Sequence, residues 1–345
     1  TIFAGYYIIF QYIPATKWRM ESVRWLKFLA VMAVTFLILN PTILLPDTWR
    51  EMLKFSSENR IGHDSYEFLG VLYTNKLTAW LNGVPWTFYF VFLAVKTSIL
   101  TLTLFLVGLP LMFRRQLGDG RFFIFFWAFV WLLSYTFLGG KFTRYFTFVE
   151  PVVFIVAAVG FCFLIKQLTE KVIRTTKTAA YVQFVLFIAI AAFPLYNSLS
   201  TAPHYRLFTN QLGGGMAAAG TYFPHDEFYD ASTRDIIAAL ASEAKPEAVV
   251  AVETPALFKH YAGKVNREDL TFVSLSDKTK VAELRTDDFI VLVTGRRYFS
   301  NRDYADYLNS AAKPAAEIRI GEITSAKLYE MDSRSVAGIR SIVNK

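Results

Sequence analysis

Apolar positions crowd the first 197 residues in long runs, whereas beyond Asn197 they shrink to brief stretches set among polar residues. A helix needs about 20 apolar residues to cross a bilayer. Runs at 28–45, within 85–113, and at 122–138, 145–165 and 179–196 predict five membrane-spanning helices. The opening stretch TIFAGYYIIFQYI, residues 1–13, is too short to span and reads as the end of a helix begun upstream. On that expectation the chain is the C-terminal part of a larger protein.

The 85–113 run, PWTFYFVFLAVKTSILTLTLFLVGLPLMF, carries Lys96 at its middle. As one helix it would extend about 43 Å, well beyond a hydrocarbon core of about 30 Å. It is therefore expected to break near Lys96, with 85–95 lying on the membrane surface and 97–113 crossing. Trp86 and Tyr89 suit the surface segment, because amphipathic rings settle at the interface.

Beyond the last span, apolar stretches rich in β-branched residues at 249–253, 270–275 and 288–294 predict buried strands. Helical patterns intervene at 232–244, after the Thr254–Pro255 start signal, and at 301–312. Residues 316–331 read as a terminal hairpin turning near Gly321. The segment GGGMAAAG, 213–220, is a flexible lead-in that matches neither glycine-rich phosphate fingerprint. The expected fold is an α-helical polytopic membrane region over 1–197, followed by a small α/β domain over 198–345 with a mainly parallel sheet.

Loop charge orients this arrangement. Basic loops at 17–27, 114–121 and 166–177 alternate with loop 46–84, loop 139–144 and the C-terminal domain. The positive-inside rule places the basic loops in the cytoplasm and the C-terminal domain outside.

With 54% hydrophobic and only 19% charged residues, the chain falls outside the range of soluble globular proteins. The net charge of +8 sits largely in short loops, so topology accounts for it without a nucleic-acid partner. The single cysteine, Cys162, excludes an intrachain disulfide, and no zinc or haem-attachment spacing is present. No predicted span contains histidine, which argues against histidine-ligated haem in the membrane. Nothing requires a cofactor from this chain, no metal ligands are assigned, and dependence on a divalent metal stays open.

The candidate chemistry is anionic recognition. A lysine at membrane depth needs an anionic partner or an aqueous cavity; the plain alternative is that Lys96 snorkels to ordinary lipid phosphates. Loop 59–86 brings Arg60, His63, Tyr66 and Lys76, which could line a pocket for an anionic headgroup. Asp64 and Glu67 could orient sugar hydroxyls or a metal, unless the loop is simply solvated. Arg144 and Tyr145 open a later span, and the planar guanidinium suits phosphate, or else a tether to lipid headgroups. The acidic cluster FPHDEFYD, 223–230, lacks a second histidine at ligand spacing and reads as domain docking or helix capping.

The order HDSYEFLG, GVPWTFYFVFLAVKT, a basic turn, GGKFTRYF and VEPVVFIVAAVGF resembles the C-terminal half of GT-C glycosyltransferases. The nearest type is bacterial family 39, relatives of protein O-mannosyltransferases and lipid A aminoarabinose transferase. The family pattern falls on His63, Tyr66, Gly70, Pro85, Phe88, Tyr89, Lys96, Thr97, Arg144 and Tyr145; Ser98 stands where proline is usual. The resemblance covers about residues 20–200.

It implies a multi-pass enzyme of the bacterial cytoplasmic membrane. Such an enzyme moves a sugar from a polyprenyl-phosphate donor to an acceptor on the extracytoplasmic face. It also implies an inverting mechanism whose catalytic aspartate precedes Thr1, so no catalytic residue is named in this chain. Lys96, Arg144, Arg60, His63, Tyr66 and Tyr145 would bind the lipid phosphate. Trp86, Phe88 and Tyr89 would contact the prenyl chain or sugar. Besides donor lipid and membrane lipids, partner membrane proteins are an open expectation. The alternative is a non-catalytic scaffold subunit of a larger complex that keeps a glycosyltransferase-like fold.

Overall fold

The computed structural model describes residues 22–57, 63–118, 120–172 and 176–343. The expectations for residues 1–13 and for Arg60 lie outside these residues.

Helix α1 (Ser22–Leu39) ends sooner than the 28–45 run suggested. Pro41 follows at once and opens a 3-10 helix, Pro41–Leu44, because proline disfavours helical geometry in the residue before it. Amphipathic α2 (Pro46–Ser57) comes next. The strands β1 (Ser65–Phe68) and β2 (Val71–Thr74) then form an antiparallel hairpin. Its two turn residues, Leu69 and Gly70, both have positive φ, the geometry that matches strand twist in a tight hairpin.

The 85–113 run does break where its length and its lysine predict. Helix α3 (Phe88–Lys96) meets α4 (Ile99–Leu111) at a bend of 120°. Asn210, from beyond the last span, completes the bend. Its side chain donates to the carbonyls of Ala94 and Thr97, each at 2.7 Å, and its backbone N–H donates to Val95 at 2.8 Å. These are carbonyls that a helix end leaves without intrahelical partners.

Three further helices follow: α5 (Gly120–Phe137), α6 (Glu150–Val172) and α7 (Thr176–Ser200). Among the described residues, three helices are long and apolar enough to cross a membrane, or four if the bent pair counts as one span. The span expected at 145–165 starts later, because Thr143–Phe148 forms a 3-10 helix before Glu150. Helices α4 and α6 pack backbone to backbone through Gly108 and Gly160. A Cβ on Gly108 would lie 1.9 Å from the Val156 carbonyl oxygen, and one on Gly160 would lie 2.1 Å from that of Leu104. Helix α7 leaves its apolar surface uncovered, as a lipid-facing helix does.

The C-terminal part is a three-layer α/β/α sandwich. The strands β3 (Val249–Val252), β4 (Thr271–Ser274), β5 (Phe289–Val293), β6 (Ala316–Ile320) and β7 (Ile323–Glu330) form one sheet in the order β4-β3-β5-β7-β6. The sheet is mixed, not mainly parallel as expected: β3 runs parallel to β4 and β5, whereas β7 is antiparallel to both β5 and β6. The hairpin inserts its second strand beside β5, which a local pattern cannot reveal.

Ile236, Ile237 and Leu240 of one helix (Thr233–Glu243), with Phe258 of another (Pro255–Lys264), cover one sheet face. Tyr304, Leu308, Val336 and Ile339 cover the other, from Arg302–Ala311 and the unanticipated C-terminal helix Ser333–Val343.

An aromatic cluster joins the two parts. It gathers Tyr66 and Phe68 of the hairpin, Phe88 and Tyr89 of α3, Trp131 of α5, Phe142 and Phe146, and Phe223 from the α/β side. Each buried ring of this kind contributes on the order of 1.5–3 kcal/mol. Lys141, fully buried, ties the loop after α5 into place by donating to the carbonyls of Val84 (2.8 Å) and Leu138.

Candidate anion-binding site

At the bend between α3 and α4, next to the aromatic cluster, lies a cavity of about 430 Å³. Lys96, Arg144 and Arg206 all line it, together with Asp226, Glu227, Tyr205 and Tyr229. Two of these cations, Lys96 and Arg144, stand among the residues the sequence pattern singled out. Arg206 does not; it follows the last span in a segment without a motif.

The three cations are held differently. Lys96 is enclosed. It pairs with Glu227, and its ammonium also donates to the Phe208 carbonyl (2.8 Å), Thr209 Oγ1 (3.1 Å) and the Arg206 carbonyl (3.3 Å). All four partners lie beyond residue 200, so this lysine meets the α/β side of the protein, not lipid headgroups. Arg144 and Arg206 are exposed to the cavity and lean on rings: Arg144 over Phe142 at 4.3 Å and Tyr145 at 5.5 Å, Arg206 over Tyr229 at 5.3 Å. Stacking holds a guanidinium by its face and leaves its in-plane N–H donors free for an oxyanion.

The carboxylates come from FPHDEFYD, where a short helix, Pro224–Phe228, presents them. Asp226 accepts from the Tyr66 hydroxyl at 2.8 Å and from the Thr143 N–H at 2.7 Å, linking three segments at one oxygen. Glu227 takes Lys96 with one oxygen and the Gly220 N–H with the other. Burial pushes the Glu227 carboxyl up, against the pull of Lys96 and the Gly220 amide. The docking role expected for this cluster describes these contacts.

Other candidates are placed elsewhere. Tyr66 is buried under Asp226, and Phe88 and Tyr89 are core residues whose rings touch neither cavity nor lipid. Trp86 is exposed beside Phe90, and Tyr145 packs between Tyr135 and Phe142. Asp64 and Glu67 lock the hairpin to the segment after β5. Asp64 accepts from the backbone of Phe299 (3.3 Å) and Ser300 (3.2 Å), and Glu67 faces Arg297 at 3.4 Å. Open α/β sheets bind ligands at the C-terminal ends of their parallel strands; here the loop leaving β5 is bonded to the hairpin instead. Among the described residues no group of three or more His, Cys, Asp or Glu is placed to hold a metal ion.

His63 also belongs to this seam. Its ring stacks on Tyr298 at 3.9 Å, with His225 at 6.2 Å. Burial first, then Arg296 and His225, draws its pKa from 6.5 down to about 4. A group that resists protonation only when folded contributes stability that is complete above about pH 6.5 and lost as pH falls towards 4. His63→Gln is therefore expected to flatten the acid limb of a plot of Tm against pH. An unchanged limb would place the titration on another group.

Comparison of the chain with protein-family models, curated proteins and solved structures finds no match. The functional reading therefore rests on the cavity and the order of residues around it.

Proposed function

We propose that the chain forms the donor-lipid portion of a GT-C-type membrane glycosyltransferase. It would move a sugar from a polyprenyl-phosphate carrier to an acceptor on the extracytoplasmic side of a bacterial cytoplasmic membrane. The observation that supports this reading is the convergence of Lys96, Arg144 and Arg206 on one cavity at the bend of a broken span. Arg144 and Arg206 grip the phosphate oxygens with their free donors. Lys96 holds positive charge at the cavity wall, where charge on the departing phosphate grows. Phe92, Phe208 and Phe223 supply apolar lining for the first isoprene units. The basic loops at the opposite helix ends orient the cavity outward.

In the full-length protein, Arg144→Ala and Arg206→Ala are each expected to lower transfer by about 100-fold, as loss of one oxyanion donor does, with expression and Tm unchanged. Wild-type turnover in both variants would refute the phosphate assignment.

One observation favours a second reading. Lys96 is already neutralised by Glu227, as in a structural clamp. A scaffold subunit would use the clamp alone, and its arginine variants would lose no binding of prenyl phosphate.

A further inference from the structure

We infer that Glu227 tunes this cavity to a phosphate of single negative charge, so that it accepts a phosphodiester and disfavours a phosphomonoester. The inference rests on the phosphate-binding reading above and names the ionic class that the site selects. Three cations and two carboxylates line the cavity, Lys96, Arg144 and Arg206 against Asp226 and Glu227, which leaves one net positive charge. A phosphate esterified to both a prenyl chain and a sugar carries one negative charge and balances it.

Transfer changes that balance. An acceptor hydroxyl oxygen bonds to the anomeric carbon, and its proton passes to a base. The bond from that carbon to the phosphate oxygen breaks, and its electron pair stays on the oxygen. The carrier phosphate then holds two negative charges. Glu227 cannot turn away into water, because Lys96 and the Gly220 amide hold it and its side chain is only 2% exposed. Its fixed charge opposes the second phosphate charge in surroundings that screen poorly. The same carboxylate that leaves the donor balanced therefore promotes release of the spent carrier.

The test uses the full chain in lipid nanodiscs, titrated with farnesyl phosphate and farnesyl methyl phosphate well above the second phosphate ionisation, near about pH 6. The wild-type protein is expected to prefer the diester. Glu227→Gln should shift the ratio of affinities towards the monoester by about tenfold, a coupling of ordinary size between two occupants of one site. Lys96→Met with Glu227→Gln removes one charge of each sign, so the ratio should return to the wild-type value. Replacing a buried pair by neutral groups is often tolerated. Thr147→Lys, at an exposed lining position, adds the same unit of charge with the pair intact and should move the ratio in the same direction even if Glu227→Gln fails to fold.

An unmoved ratio in Glu227→Gln or in Thr147→Lys overturns the inference. So does a double variant that shifts as far as the single one. Those outcomes leave the phosphate site standing, whereas a wild-type protein that binds neither ligand removes the site and the inference together.

Discussion

Lys96→Ala is expected to destabilise the folded protein by about 3–5 kcal/mol, the cost of leaving one member of a buried ion pair alone. Glu227 is nearly sealed from water and would keep only the Gly220 amide as a partner. The variant also strips donors from Phe208, Thr209 and Arg206, so residues 206–209 lose their seat on the bend. Thermal unfolding, together with protease sensitivity across 201–223, reads the loss.

Its pH dependence has a definite sign. Burial already raises the Glu227 pKa, and removing Lys96 removes the strongest pull in the other direction. A carboxyl whose folded pKa lies above its unfolded value is tolerated best below the unfolded value, and stability is lost as pH rises through the folded one. The deficit of Lys96→Ala should therefore shrink in acid and widen towards neutrality. A variant that melts with the wild-type chain at every pH would show that Glu227 finds water and that the pair carries little.

The second large effect is expected at the contact of α4 with α6. Gly160→Leu should cost about 3 kcal/mol or more, at or above the usual range for overpacking, because the new side chain meets the Leu104 carbonyl, which is backbone and cannot step aside. Small residues let helix backbones approach within a bilayer, and here the approach is reciprocal. The consequence extends to the cavity. Helix α4 starts just after Lys96, and α6 starts just after the Arg144 loop. Forcing the helices apart should separate those cations and lower prenyl phosphate affinity along with Tm. Spin labels on α4 and α6 should report a longer separation in the variant; an unchanged distance with unchanged Tm would mean that the helices slide to accommodate the leucine.

Much of the architecture was legible in the sequence because it follows from lengths and periods. The break at Lys96 could be read from a run too long for one crossing, and the three parallel strands from compact β-branched stretches. Placement of aromatic side chains was not legible. Phe88 and Tyr89 sit in a run whose composition suits lipid as well as core, and only distant segments make it a core: Tyr66, Phe68 and Phe223 pack on Phe88, and Trp131 and Phe146 on Tyr89.

Partners far apart in sequence were equally hidden. Nothing local marks Glu227 as the anion for Lys96, or Asp226 as the acceptor for Tyr66, because these contacts join segments that each look like ordinary polar loops. Arg206 escaped notice for the same reason: its meaning comes from lining the same cavity as Arg144.

The carbonyls at the α3–α4 bend have a consequence for how the protein is made. Ala94, Val95 and Thr97 obtain their donors from Asn210, which the ribosome adds more than a hundred residues later. Until that residue has been made, these acceptors lack the donors that the finished fold gives them. The bend that positions Lys96 is thus finished only after the three helices that follow α4 have been synthesised, and a residue that arrives after them is what secures one of the chain's earlier turns.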